Sequence, residues 1–398
     1  MPETPAPAAP ALPAATGIPY GRALRRLFRL DDAATFLNHG SFGLTPLAVL
    51  ATQAALREEM ERQPVQFLNR ATLQPRLRAA AAQLAGFLGV AAEDLVFVDN
   101  ATTGVNAVLR SFPLKPGDEV LITDHTYPAV RNAVRFVCGR AGARMVEARL
   151  PFPAESPDGI VAAVTAALTD RTQLAVFDLV SSASAIIMPA AALARVCRDA
   201  GARVLIDAAH GPGMLDLDLS ALQADWVTGN AHKWLFAPKG CALLWAAKGA
   251  QRDLHPTVIS HGFEQGFANE FDWTGTRDPT AWLAAPSALD FYRSMGDGTL
   301  RARNHDLVVM AGELLVRSWK TETGAPSAMV GAMAVVRLPG GHPGTPAAAQ
   351  AVHDRLWQKY HIEVPVMSIE QVLWVRVSAQ IYNDLEDYQR LAFALAEA

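Results

Sequence analysis

The strongest constraint on the fold is an alternation repeated between residues 95 and 245, in which short apolar runs that read as strands are separated by alanine-rich segments with helical spacing. Leu95 to Val98, Glu119 to Thr123, Gln173 to Phe177 and Arg203 to Ile206 are the strand-like runs, and Ile160 to Leu168 and Ala190 to Ala200 are helical segments between them. A parallel neighbour needs a crossover long enough to hold a helix, so this order predicts an α/β domain with a mostly parallel central sheet and helices on both faces. Trp226 to Thr228 and Ala242 to Trp245 extend the same sheet. Ahead of it, Ala51 to Arg62 and Leu73 to Leu88 read as helices. Beyond it, a long amphipathic helix from Asn304 to Thr321 is followed by the run Met333 to Leu338 and a Gly/Pro-rich turn. A helix near Ala348 to Tyr360 and the run Leu373 to Ser378 complete a compact α+β unit.

A chain of 398 residues suits one large domain and one smaller one. The expected division is a flexible arm over 1–19, a segment over 20–50 that joins the small domain, a large domain over 51–290, and a small C-terminal domain over 291–398. The arm lacks the basic start of an export signal, and prolines interrupt its apolar residues. The net charge of −4 and the absence of any basic run argue against a nucleic-acid partner. No uncharged apolar stretch reaches the roughly 18 to 20 residues of a membrane-spanning helix, so a soluble protein is expected. Cys138, Cys197 and Cys241 are too widely spaced for a disulfide framework or a CxxC metal or redox site, which points to a reducing cytoplasm.

The chemistry concentrates in two segments. VLIDAAHGPG places Asp207 and His210 at the end of one strand, and NAHKW places His232 and Lys233 at the end of the next. Ligands of open α/β sheets sit beyond the carboxyl ends of strands, so these side chains would converge on one crevice. A carboxylate, a histidine and a lysine there can pair with a pyridine nitrogen, hydrogen-bond a phenolic oxygen and form a Schiff base, the contacts that pyridoxal 5′-phosphate (PLP) needs. Taken singly, each has a plainer role: Asp207 as a turn residue, His210 as a satisfied core histidine, Lys233 as a solvated surface lysine. Trp234, Leu235 and Phe236 after Lys233 favour a lysine of lowered pKa. In FVDNATTGVNAVLRSF, Asn100, Thr102, Thr103 and Gly104 lie between a strand and a helix expected to begin near Val105. Such a turn cradles a phosphate or is an ordinary threonine N-cap.

FLNHGSFG (Phe36 to Gly43), NATTGVN (Asn100 to Asn106), DHTYPAV (Asp124 to Val130), IDAAH, AHKW, WTGTRDPT (Trp273 to Thr280) and WVRVSAQIYN (Trp374 to Asn383) together resemble the class V aminotransferase family, most closely its isopenicillin N epimerase-like members. The resemblance runs in order from about residue 20 to the C-terminus. It implies a type I PLP fold, PLP as cofactor, an amino-acid substrate and a homodimer with active sites at the subunit interface. By matching motif, Lys233 would be the Schiff-base lysine, Asp207 the partner of the pyridine nitrogen and His210 a partner of the ring hydroxyl. Thr102, the Thr103 backbone, His232 and Asn230 would bind the phosphate, Asn230 standing where cysteine desulfurases carry a serine. Gly275 and Thr276 would reach the phosphate of the neighbouring subunit, and His125 or Tyr127 would stack on the ring. Arg376 would grip the substrate carboxylate, its plainer role being a surface ion pair. Asn38 and His39 would approach the substrate, or serve a purely structural glycine-rich turn. FDLVSSASAIIMP departs from the pattern, with Leu179 and Ala183 where relatives often show histidine and proline, and Ser182 becomes the expected contact to the cofactor oxygen.

Epimerisation or racemisation is the reaction this resemblance favours, with His125 or Tyr127 as the second acid for inversion. A carbon–sulfur lyase and an aminotransferase are the alternatives, and a non-catalytic PLP-binding regulator is a further one that an intact Arg376 speaks against. No cysteine follows Cys241, which disfavours a persulfide-forming desulfurase.

Overall fold

A computed structural model of the chain describes residues 20–396, and the expected arm over 1–19 lies outside the described residues. The strands are β1 (Thr35–Phe36), β2 (Leu95–Val98), β3 (Glu119–Thr123), β4 (Arg144–Ala148), β5 (Thr172–Asp178), β6 (Arg203–Asp207), β7 (Trp226–Asn230), β8 (Ala242–Ala246), β9 (Met333–Arg337), β10 (Ile362–Glu363), β11 (Val366–Ile369) and β12 (Val372–Ser378). The large sheet has the order β2-β8-β7-β6-β5-β3-β4. Only β8 runs against its neighbours, so the mostly parallel sheet expected from the sequence is the one found.

Successive residues of each central strand feed two separate cores, as the alternation of side chains across a sheet requires. Val96, Val98, Val120, Ile122, Leu174 and Val176 pack with Val105, Val108, Val130 and Val134, which come from the helices Ala101–Ser111 and Pro128–Ala141. Phe97, Leu121, Ala175, Phe177, Val204 and Ile206 face the other way, onto Leu77, Leu84, Leu193 and Leu289. The edge strand β4 and the helix before it were not expected. Arg144 and Glu147 of β4 are exposed and its centre only half-buried, so RMVEA carries no continuous apolar run.

After β3 the chain turns outward to β4 and then returns to the other side of β3 as β5. At such a reversal two crossovers diverge and open a crevice beyond the strand ends. The carboxyl ends of β3, β5, β6 and β7 share that edge. β4, parallel to β3, and β2, antiparallel to the reversed β8, end there as well.

Strands β11, β12 and β9 form an antiparallel sheet that packs with the helices Gly298–Trp319 and Pro346–Tyr360, and Leu385–Ala396 packs on the first of these. The early segment is stitched to this unit: β1 pairs in parallel with β10, the Gly21 N–H donates to the Ile381 carbonyl at 2.7 Å, and the Ser378 N–H donates to the Leu37 carbonyl at 2.9 Å. The same segment ends at Gly43, whose φ of 69° lies in the left-handed region. A Cβ there would stand 2.3 Å from the His232 carbonyl oxygen and 2.8 Å from Lys233 Cα. Gly43→Ala is therefore expected to cost about 3 kcal/mol, from backbone strain plus a clash with main chain that cannot rotate away. Thermal denaturation checks this, and an unaltered Tm would show that the turn gives way freely.

Candidate active site

The two strand-end motifs meet. β6 delivers Asp207, and the turn after β7 delivers His232 and Lys233. That turn is pinned by its own apolar residues, since Trp234, Leu235 and Phe236 are almost fully buried. The Ala237 N–H closes it onto the Ala231 carbonyl at 3.1 Å. Lys233 Nζ lies 3.3 Å from His210 Nε2, and the Trp234 indole N–H donates to His210 Nδ1 at 3.2 Å. An indole nitrogen only donates, so His210 Nδ1 is an acceptor and the neutral ring carries its proton on Nε2, facing the lysine. Burial, with Lys233, Arg376 and His39 adding to it, pushes the His210 pKa well below the usual histidine range and keeps the ring neutral.

Burial also lowers Lys233, to a pKa of about 8, with Arg376 adding to the effect and Asp207 and Asp178 opposing it. At pH 7.5 about a quarter of such amines are unprotonated, against roughly one in a thousand for an ordinary lysine. Asp207 is pushed up to about 6 by burial, while the Ala209 N–H and Lys233 hold it back. Its Oδ1 accepts the Ala209 N–H at 2.9 Å, which leaves the second oxygen for another donor.

At the end of β2, Asn100 caps the helix Ala101–Ser111, which starts four residues before the expected Val105. This start changes which groups an anion can use. The Asn100 side chain accepts from both the N–H and the hydroxyl of Thr103, so Thr103 is occupied by the cap and its backbone is not the free donor expected. Asn230 Oδ1 accepts the Ala101 N–H at 2.8 Å, which makes Asn230 a brace between β7 and the helix start and leaves only its Nδ2 to donate. The Thr102 N–H and hydroxyl remain at the positive end of the helix dipole. Both the main-chain N–H and Nδ1 of His232 point to the Cys241 carbonyl at 3.0 Å, and burial, against that bond, lowers the ring to about 4.

Arg376 reaches the site from β12 and is 3% exposed. Its Nη1 donates to the Ser182 carbonyl at 2.5 Å and lies 3.3 Å from the Ser182 hydroxyl. Its Nη2 meets Asn38 Oδ1 at 3.3 Å and Ser41 Oγ at 3.1 Å. No carboxylate pairs with it among the described residues, and its Nε is buried without a partner. The surface ion pair is thus excluded. Ser182, expected at the cofactor oxygen, and Asn38, expected at the substrate, are both engaged with this guanidinium. His39 has other partners. It is buried behind the lysine turn, with Nδ1 2.8 Å from the Tyr382 hydroxyl and Nε2 3.1 Å from both the Lys233 carbonyl and the Gln380 amide.

His125 is buried and tied through Nδ1 to Ser184 Oγ at 2.6 Å, whereas Tyr127 is 41% exposed. Both line a cavity of about 770 Å³ that runs past Ser182 and Ala183 to Arg149 and Glu370. Gly275 is half-buried and Thr276 exposed, and the neighbouring Arg277 pairs with Asp99 and covers the Trp282 ring. Three residues were not anticipated. Ser184 anchors His125 and Trp234 sets the His210 tautomer. Asp178 ends β5 directly beside Asp207, and the match between the strand endings VFD and LID was the signal that could have found it.

The groups present fit PLP: an amine of low pKa, a carboxylate with an unengaged oxygen, a histidine donor held in one tautomer, and an open helix start. Residues 45–391 match the family model described as Aminotransferase class-V. The chain is 37% identical to isopenicillin N epimerase of Amycolatopsis lactamdurans, covering 94% of this chain and 97% of that protein. It is 32% identical to L-cysteine desulfhydrase of Arabidopsis thaliana, covering 91% and 87%. Among solved structures, the cysteine desulfurase of Thermococcus onnurineus NA1 superposes with a TM-score of 0.79 at 18% identity, covering 96% of this chain and 98% of that one, and so shares the fold. With the strand-end site assembled on this sheet and the match running through nearly all of it, the chain belongs to the class V aminotransferase family.

Proposed function

We propose that this chain is a PLP-dependent enzyme that epimerises or racemises the alpha carbon of an amino acid or amino-acid-derived substrate. The observation that carries the reading is the buried, carboxylate-free guanidinium of Arg376, whose charge acts on the low-pKa amine of Lys233. A buried cation with no counter-ion is costly until an anion arrives, so the site is built to receive a carboxylate next to a nucleophilic amine. PLP, when bound, supplies an aldehyde that condenses with amines and a ring that withdraws electrons from the alpha carbon.

The chain's own residues do the rest. Lys233 holds the cofactor and, once released by the incoming amine, takes and returns the alpha proton at Nζ. Asp207 keeps negative charge at the ring nitrogen, and His210 donates from Nε2 to the ring oxygen. The Thr102 N–H and hydroxyl, Asn230 Nδ2 and His232 hold the phosphate, with His232 taking up a proton to donate from Nε2. Arg376 orients the substrate, and Asn38, Ser41 and Ser182 orient Arg376. His125 is the group suited to stack on the ring, and the exposed Tyr127 is suited to deliver the second proton. The reading also includes a homodimer in which Gly275 and Thr276 complete the partner's phosphate site. Exposed Phe42, Val65, Val258, Ile259 and Phe263 supply apolar area for such a contact.

Epimerisation is the first reading, favoured by the isopenicillin N epimerase relative at 37% identity over nearly the whole chain. Elimination from a cysteine-type substrate is the second reading, favoured by the desulfhydrase relative. A persulfide route is disfavoured, because burial pushes the thiols of Cys138 and Cys197 up to about 11 and 12 and that of Cys241 higher still. Incubation with L-amino acids in deuterated water decides between them. Deuterium at the alpha carbon with mixed chirality is the expected result, while ammonia with a keto acid would replace this reading by the lyase.

A further inference from the structure

We propose that Asp178 is a positioning residue that carries the proton of a two-carboxylate pair, so that Asp207 alone bears negative charge toward the cofactor nitrogen. This rests on the PLP reading above and goes beyond it. Asp178 and Asp207 are the last residues of adjacent parallel strands and stand in direct register. Residues paired in this way lie about 4.8 Å apart and direct their side chains to the same face. Both are buried, at 5% and 4% exposure, and Asp178 Oδ2 is a buried oxygen with no hydrogen-bond partner.

Two carboxylates at that separation, away from water, do not both ionise. The surroundings decide which one does. Asp207 has the Ala209 N–H on Oδ1 and the Lys233 amine in front of it. Asp178 is helped only by the Tyr127 and Asp178 main-chain N–H groups and by Arg131, against burial and the charge of Asp207, and its pKa is driven well above the ordinary range. Arg131 is itself spent on Glu147 and on the Thr123 and Asp124 carbonyls. The Lys233 amine favours ionisation of Asp207, and it is not among the groups that lower Asp178. A proton on Asp178 Oδ2 gives that orphaned oxygen a hydrogen to donate, and the Asp207 carboxylate across the strand pair can accept it on a lone pair that neither the Ala209 N–H nor the ring nitrogen takes. Asp178 thus holds Asp207 in place without competing for the ring nitrogen.

The test compares Asp178→Asn and Asp178→Ala in the full chain. Asparagine keeps a neutral donor and alanine removes it. At pH 7.5, Asp178→Asn should retain PLP within about threefold of wild type, whereas Asp178→Ala should weaken it about tenfold or more. The cofactor-free protein gives a second readout. A carboxyl whose folded pKa is raised above its unfolded value binds its proton more tightly when folded, so stability falls as pH rises from about 4 through that raised pKa. Wild type should lose Tm across this window, and Asp178→Asn should lose distinctly less. Equal cofactor loss in both variants, or a pH slope identical to wild type in Asp178→Asn, overturns the proposal. Failure of wild type to bind PLP at all would instead sink the underlying reading, and the pH slope is measured without the cofactor.

Discussion

Lys233→Ala protein is expected to be colourless after incubation with PLP, to show no mass increment after borohydride reduction, and to exchange the alpha proton at least about a thousandfold more slowly than wild type. The size of the effect follows from one amine serving both as the covalent attachment and as the proton carrier. No nearby group replaces it. Lys239, the other lysine in the region, donates to the Gly43 carbonyl at 2.9 Å and to Thr45. The wild-type behaviour has a pH signature. Only the unprotonated amine attacks an aldehyde, so uptake of PLP by cofactor-free protein should quicken as pH rises and level off above about 8, where the buried amine has lost its proton. An ordinary lysine would keep accelerating toward 10.5. A yellow, borohydride-reducible Lys233→Ala protein would move the attachment elsewhere and undo the assignment.

Arg376→Ala should retain the colour of bound cofactor and raise KM for amino-acid substrates by about 100- to 1000-fold, the cost of losing a two-pronged hydrogen bond to a carboxylate in a buried setting. Arg376→Lys should recover little, because an ammonium cannot reproduce the planar fork that Ser182, Asn38 and Ser41 hold in position. Steady-state kinetics with one accepted amino acid, alongside the visible spectrum, separates substrate binding from cofactor binding. An unchanged KM in Arg376→Ala would show that the guanidinium braces the loop at Ser182 instead of meeting substrate.

What the sequence revealed and what it hid divide along chain separation. The strands of the large sheet were legible because buried parallel strands are written as continuous apolar runs, and Asp207, His210, His232 and Lys233 were legible because each sits just past such a run. The exposed edge strand β4 lacked that signal. Thr103 was misread because the capping Asn100 shortens the loop, shifting the helix start and consuming donors that looked free. His39 was misread because its partners Tyr382 and Gln380 come from the opposite end of the chain, and nothing local to HGSF announces them. The same holds for Arg376, whose position in the sequence suggests a grip but whose supports arrive from residues 38, 41 and 182.

The pairing of the first strand with residues near 362, together with the bond from Gly21 to Ile381, has a consequence for biosynthesis. A nascent chain presents residues 20–43 long before their docking surface has been translated, so the support beneath the lysine turn is among the last parts to fall into place. The sheet can assemble on the ribosome while the cofactor pocket stays slack. The brace that Gly43 sets against His232 and Lys233 therefore waits on a stretch of chain made more than 300 residues later.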